Sequence, residues 1–349
     1  METKIYKINS VAESQREIAE CAEILKNQGL VVFPTETVYG LGADATDATA
    51  AGKIYKAKGR PSDNPLIIHI ANPKDAETYA YTSAAYYKLA QHFMPGPITV
   101  ILPARESVPK ETRGGLSTVG VRCPENAIAH ALISAFGKPI AAPSANLSGS
   151  PSPTNARHVI DDMLGRVDAI IDGGDSDFGL ESTIVKIEDD SSITVLRPGK
   201  ITPEDLKQIF ERVVIAPAVK TELKATETAL SPGMKYRHYA PKAPLVLLDG
   251  THEEIVEFLK SQKGNVGLIY YENYLFKINA ELPNVRVYSF GNIENEESQA
   301  KLLFSLLRDA DKENHDVIYA PLPGEDGIAL ALYNRMIRAS SHKIINLRK

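Results

Sequence analysis

The chain has 349 residues, 43% of them hydrophobic and 24% charged, with a formal net charge of −5 at pH 7. That composition excludes a disordered or collagen-like chain, and the length exceeds what one hydrophobic core usually serves, so about two domains are expected. Net acidity counts against tight non-specific nucleic-acid binding, which rests on phosphate neutralisation. No apolar run approaches the roughly 20 residues of a bilayer span, and the opening METKIYKINS is too polar for a signal peptide. A cytoplasmic protein with no membrane role is the expectation, and Cys21 and Cys123, without metal-type spacing, read as buried thiols.

In chain order, residues 14–27 predict an amphipathic helix and 29–33 a short buried strand. The strand runs into PTETVYGLGADA (34–45), which sets polar side chains at a sheet edge. Gly40, Gly42 and Ala45 satisfy the form of the dinucleotide fingerprint, which lets a pyrophosphate approach a helix N-terminus. The fit is loose, because Pro34 and the TET triplet separate the glycines from the strand and no ribose-binding acid is evident. A glycine turn required by packing is the plain alternative to a nicotinamide-dependent oxidoreductase.

A helix over 45–58 brings Lys56, Lys58 and Arg60 just ahead of Asn64 and a strand over 65–70 that carries His69. Three cations so close favour an anion through charge-assisted hydrogen bonds, although basic residues at a helix C-terminus also complement the helix dipole. His69, in an apolar strand, reads first as a satisfied core histidine. After a helix over 83–93 and a strand over 98–102, the strand over 118–122 places Thr118 and Arg122 on one face. If that face is buried, Arg122 must meet a carboxylate of the protein or of a ligand.

A helix over 127–136 and a strand over 139–142 lead into PSANLSGSPSPT (143–154). Its Ser144, Asn146, Ser148, Ser152 and Thr154 lie just after a strand, where α/β proteins bind ligands, and the same residues suit ordinary turn chemistry. A helix over 155–164 and strands over 170–172, 182–187 and 194–197 complete this half, with Ser182 in ESTIV and Arg197 in LRPG. The alternation describes an α/β sheet covered by helices.

Residues 213–244 read as a linker, punctuated by prolines and centred on the aromatic and basic PGMKYRHYAP (232–241). Beyond it, strands at 245–248, 266–270, 285–290 and 316–319 alternate with helices at 253–261, 296–309 and 328–339. That spacing predicts a smaller, mostly parallel, Rossmann-like α/β domain. No P-loop, zinc-helix or nucleophile-elbow motif occurs in the chain.

Taken in order, PTETVYGLG, KAKGRP with NPL, TVGVRCP, APSANLSG, ESTIV and LRPG resemble the YrdC-like threonylcarbamoyl-AMP synthase family, and the linker with its extra domain resembles the long form of that family. The resemblance implies a YrdC-like twisted mixed sheet around a basic cavity in residues 1–212, the linker at 213–244, and the Rossmann-like domain at 245–349. It implies condensation of L-threonine, bicarbonate or CO2, and ATP with Mg2+, giving threonylcarbamoyl-AMP (L-threonylcarbamoyladenylate) and pyrophosphate. The product would pass to a tRNA threonylcarbamoyl transferase, for N6-threonylcarbamoyladenosine at position 37 of ANN-decoding tRNAs.

By the same resemblance Thr35, His69, Arg122, Ser144 and Ser182 would bind threonine. Lys58, Arg60, Asn64, Thr118, Asn146, Thr154 and Arg197 would bind ATP, with Tyr236 and His238 closing over the nucleotide as part of a lid. No covalent or acid–base residue is implied, since positioning and charge neutralisation dominate transfers at phosphorus. The alternative from another class is a non-catalytic RNA-binding module using the same cavity, which predicts salt-sensitive RNA affinity without consumption of ATP. A weak RNA contact is compatible with the enzyme as well.

Overall fold

The computed structural model describes residues 2–221 and 238–348. The chain divides into two compact units, Met1–Ser148 with Ser152–Lys235, and Gly149–Pro151 with Tyr236–Lys349.

The first unit runs β1 (Lys4–Lys7), α1 (Gln15–Lys26), β2 (Val31–Phe33), β3 (Gly40–Asp44), α2 (Ala48–Lys58), β4 (Ile67–His69), α3 (Ala76–Tyr79), α4 (Ala84–Phe93), β5 (Ile98–Pro103) and β6 (Thr118–Arg122). It continues through α5 (Ala127–Phe136), β7 (Ile140–Ala141), α6 (Ala156–Met163), β8 (Ala169–Asp172), β9 (Thr183–Ile187), β10 (Ser192–Arg197), α7 (Pro203–Lys207) and β11 (Arg212–Ile215). Its strands form one mixed eleven-stranded sheet in the order β1-β8-β2-β3-β7-β4-β6-β5-β9-β10-β11. Pairing of β10 with β11 carries this unit past residue 212, into the segment whose sequence reads as linker.

Both faces of the sheet are covered, as the period of two in its central strands requires. Val32 and Ile170 enter one core with Leu41, Ile68 and Val121, while their neighbours Val31, Phe33, Ala169 and Ile171 enter a second with Ile18 of α1 and Leu132 of α5. Cys21 and Cys123 are free and buried, as expected, and burial pushes both thiols up to about 12.

The glycines at 40 and 42 form no phosphate-binding turn. They lie within β3, antiparallel to β2 with Val31 opposite Gly42 and Phe33 opposite Gly40, and α2 starts only at Ala48. A Cβ on Gly42 would sit 2.8 Å from Phe33 Cε1 and from Ile140 Cγ2, so close approach of β3 to its neighbours explains that glycine. The strand–turn–helix context that a dinucleotide fingerprint needs is absent here.

The turn after α2 does need a glycine's freedom. Asp47 caps the helix N-terminus through Thr49 N and Ala50 N, and Gly59, at φ 63°, ends it in the left-handed conformation, so Arg60 leaves the helix axis just after Lys58.

The second unit contains β12 (Leu245–Asp249), α8 (His252–Lys260), β13 (Val266–Tyr270), α9 (Leu275–Glu281), β14 (Arg286–Ser289), α10 (Glu296–Ala310), β15 (Val317–Pro321), α11 (Ala329–Ala339) and β16 (Ile344–Asn346). All its strand pairings are parallel, in the order β14-β13-β15-β12-β16. The α/β domain read from the sequence is present, but β15 lies between β12 and β13, whereas the dinucleotide-binding order pairs the first two strands directly. Tyr236 lies outside the described residues. Among the described residues no helix is long and apolar enough to cross a membrane.

Candidate active site

The loop between β2 and β3 is held by its own hydroxyls. Thr35 Oγ1 donates to Val38 O at 2.6 Å and accepts from the Thr37 and Val38 amides, both at 3.2 Å. Thr37 Oγ1 lies 2.8 Å away, and because the single Thr35 hydroxyl proton is already committed, Thr37 is the donor. This closed turn presents Glu36 inward, while the Glu36 and Thr37 carbonyls accept from Phe178 N and Gly179 N at 2.9 and 3.1 Å.

Arg122, at the end of β6, meets Glu36 Oε1 through Nη2 at 2.6 Å, and both side chains are under a tenth exposed. The sequence called for a carboxylate opposite Arg122 and left its source open; Glu36, 86 positions away in the chain, supplies it. Each member of the pair also keeps a buried atom without a partner, Glu36 Oε2 and Arg122 Nε. Left dry and unpaired, such atoms cost about 1–3 kcal/mol each, so this pair is built to meet something else.

His69 on β4 lies directly opposite Arg122 in the parallel register, and its Nδ1 is likewise buried and unpartnered. Burial, with the Arg122 charge adding to it, lowers its pKa to about 3, so the ring is neutral near pH 7. The unfolded chain takes up this proton near pH 6.5 and the folded chain does not. Stability is therefore full above that value and falls as pH drops toward 3. A urea midpoint that declines between pH 7 and pH 4.5, and declines less in His69→Gln, is the expected result. The His69 ring resonances should stay unchanged between pH 8 and pH 5.

A second group forms around Ser144. Lys58, only 2% exposed at the end of α2, donates through Nζ to Ser144 O and Asn146 O, both at 2.5 Å, and Ser144 Oγ donates to Asn146 Oδ1 at 2.5 Å. The helix-dipole reading of this lysine is thereby superseded, since its ammonium leaves the helix to organise the loop after β7. An isolated bridge between Ser144 and Gly40, with Ala145 N donating to Tyr39 O at 2.8 Å, seats that loop beside β3. Arg60 donates to Asn64 O and Pro65 O at 3.3 and 3.0 Å, shaping the turn that enters β4.

The third group surrounds Ser182. Its hydroxyl lies 2.8 Å from Thr99 Oγ1, and Arg197 donates to Ser182 O and Oγ at 3.1 and 3.2 Å. Ser152 donates to Glu181 at 2.6 Å, and Ser176 N donates to Thr154 O at 2.8 Å, which ties the 143–154 loop to the segment before β9.

Gly199 is packed against that segment. An added Cβ would lie 2.5 Å from Thr183 N and 2.8 Å from Glu181 O, and backbone cannot yield as a side-chain tip does. Gly199→Ala should displace Ser182 and cost several kcal/mol, on the order of the larger single-substitution effects, read as a lowered melting temperature.

His69, Arg122 and Arg197 stand at the ends of β4, β6 and β10 and Lys58 at the end of α2, while Thr35, Ser144, Asn146, Thr154 and Ser182 lie on loops that hydrogen bonds tie to one another. Thr118 stands apart, four residues before Arg122 on β6, about 13 Å along an extended strand and partly exposed. His238 borders Tyr239, which stacks on Phe304 within the second unit. The residues that sequence reasoning missed are Glu36, Thr99 and Tyr39, whereas Glu181 was among its candidates. Tyr39 donates to Gly174 O at 2.6 Å and accepts from Gly173 N at 3.1 Å, and burial raises its pKa. Glu36 could have been found from the demand that a buried Arg122 makes on a nearby acid.

Beside Glu36 lies a cavity of about 450 Å3, bordered also by Pro95, Pro97, Phe178 and Lys200. An α/β fold with a buried, half-satisfied ion pair and a neutral histidine has the features of a site for a small charged ligand.

Comparison with known proteins agrees. Residues 23–199 match the Sua5, YciO and YrdC family, described as telomere recombination, and residues 201–341 match the threonylcarbamoyl-AMP synthase C-terminal domain. The chain is 42% identical to the threonylcarbamoyl-AMP synthase of Pyrococcus abyssi over 93% of its length and 94% of the relative's. It is 40% identical to that of Bacillus subtilis over 99% and 100%. The solved structure of P. abyssi Sua5 complexed with L-threonine superposes with a TM-score of 0.88 at 39% identity, over all of both chains. This chain belongs to the YrdC-like threonylcarbamoyl-AMP synthase family, a family of enzymes, in its two-domain form.

Proposed function

We propose that the protein condenses L-threonine, bicarbonate or CO2, and ATP into threonylcarbamoyl-AMP, releasing pyrophosphate. The observation that carries this reading is the buried Glu36–Arg122 pair with its unpartnered atoms, set beside neutral His69 in the domain that matches the family. Arg122 then holds the threonine carboxylate, with His69, Thr35, Ser144 and Ser182 around the amino-acid end.

In this reading the threonine ammonium gives up two protons to solvent as its nitrogen adds CO2 to form a carbamate, whose oxygen attacks the α-phosphorus of ATP and expels pyrophosphate. Lys58, Arg60 and Arg197 counter the charge of the phosphates, with Asn64, Thr118, Asn146 and Thr154 toward phosphate and ribose. Their carbonyl contacts hold the cations in place before substrate arrives, and preorganised charge of that kind is the main lever on transfer at phosphorus.

Among the described residues no cluster of three or more His, Cys, Asp or Glu could hold a metal ion. In this reading Mg2+ would be carried by the ATP phosphates with at most one or two protein carboxylates, and its chemistry would be to neutralise phosphate charge. The product would pass to a tRNA threonylcarbamoyl transferase for modification of ANN-decoding tRNAs at position 37, a use that places the enzyme in the cytoplasm.

The test is pyrophosphate release by purified protein with ATP, Mg2+ and bicarbonate, comparing L-threonine, L-serine and no amino acid. Threonine-dependent release is the expected result. ATP-independent, salt-sensitive RNA binding with no release would replace this reading by that of a binding module.

A further inference from the structure

We propose that Glu36 is the recognition group for the α-amino nitrogen of the amino-acid substrate, forming with Arg122 a two-ended clamp for a zwitterion. The proposal rests on the reading of L-threonine as substrate and adds to it a residue with a distinct task.

The geometry divides the pair's valences in two. Glu36 Oε1 and Arg122 Nη2 are spent on each other at 2.6 Å. What remains buried and unpartnered is one acceptor, Glu36 Oε2, and one donor, Arg122 Nε. An anion alone would satisfy Nε and leave Oε2 orphaned against its own charge. A cation alone would do the reverse. A ligand carrying an ammonium and a carboxylate on one carbon satisfies both and leaves the buried site with no added net charge, which is the cheapest way to fill it.

The loop is built to hold Glu36 for this purpose. The Thr35 hydroxyl closes the turn around it, the Glu36 carbonyl is tied to Phe178 N, and Glu36 is among the residues that line the cavity of about 450 Å3. A carboxylate required only to neutralise Arg122 would take a bidentate grip on the guanidinium fork, as such pairs frequently do. Here a single contact is made and the second oxygen is held back. After carbamate formation the nitrogen still bears one hydrogen, so the same oxygen can keep it aligned.

The experiment is calorimetric titration of the full chain with L-threonine and with 3-hydroxybutanoate, the same carbon skeleton without the amino group. A hydrogen bond to a charged group predicts that the wild type prefers threonine by about 10- to 100-fold, and that Glu36→Gln narrows the preference to about 3-fold or less. If both ligands weaken in parallel with the preference intact, Glu36 serves only to orient Arg122 and the proposal is wrong. Glu36→Asp, which keeps the charge beside Arg122 but withdraws the carboxylate, is measured alongside. It should lose preference too, and an unchanged preference there overturns the proposal even if the Gln variant does not fold. A wild type that binds no threonine overturns the proposed function itself, a result distinct from either.

Discussion

Arg122→Ala should abolish threonine-dependent pyrophosphate release, by about a thousandfold or more, and destabilise the first unit at the same time. The substitution strands the Glu36 carboxylate in a site under a tenth exposed. Breaking a buried pair from one side costs about 3–5 kcal/mol, because the remaining charge is neither paired nor hydrated. For a unit of this size that is a fall in melting temperature on the order of 10 °C. Removing both partners, as Arg122→Ala with Glu36→Ala, should recover part of the lost melting temperature and none of the activity. Identical melting of the single and double variants would show that the pair carries no such coupling. The Gln and Asp variants of Glu36, by contrast, keep the site filled and so separate recognition from folding.

The second large effect is expected at Lys58. Lys58→Met keeps the aliphatic stem in its buried slot while removing the ammonium that joins Ser144 O and Asn146 O. The two carbonyls lose this donor, and in the proposed reading the site loses a charge that counters phosphate. Loss of one preorganised donor in such a site reduces turnover by roughly 10²–10³. The split between parameters checks the assignment: kcat/KM for ATP should fall by that factor, while the calorimetric affinity for L-threonine should change little. A threonine affinity that collapses together with the ATP parameter would instead place Lys58 as a support for the whole loop after β7.

Much of the architecture was legible because its signals are local. The helix over 127–136 and the strands over 118–122 and 266–270 occupy the spans that periodicity assigns, and Asn155 caps α6 through His158 N as a start signal should. Several of the elements that escaped have weak or contrary local preference. β3 is GLGAD, two glycines in five residues, and becomes a strand only because β2 and β7 pair with its two edges. β1 and β16 are short and solvated, with no buried residue to set an alternating pattern. α9, seven residues with a single buried position, offers too few turns for a helical period.

The site divides in the same way. Residue type and order determined its inventory: Arg122 on one strand face with Thr118, cations clustered after a helix, hydroxyls following strands, and the ordered motifs that carry the family resemblance. Those are properties of neighbours in the chain, and the side-chain period of two or 3.6 is enough to read them. What only the tertiary structure decided is who meets whom. Parallel pairing of β4 with β6 sets His69 against Arg122. Closure of the β2–β3 loop brings Glu36 to it from 86 residues away, and the last turn of α2 turns Lys58 toward Ser144 and Asn146 rather than to solvent. Sequence states that a buried charge needs a partner. Choosing that partner depends on sheet order, and sheet order is settled by the simultaneous burial of both faces of the central strands of an eleven-stranded sheet, an outcome no local window of the chain contains.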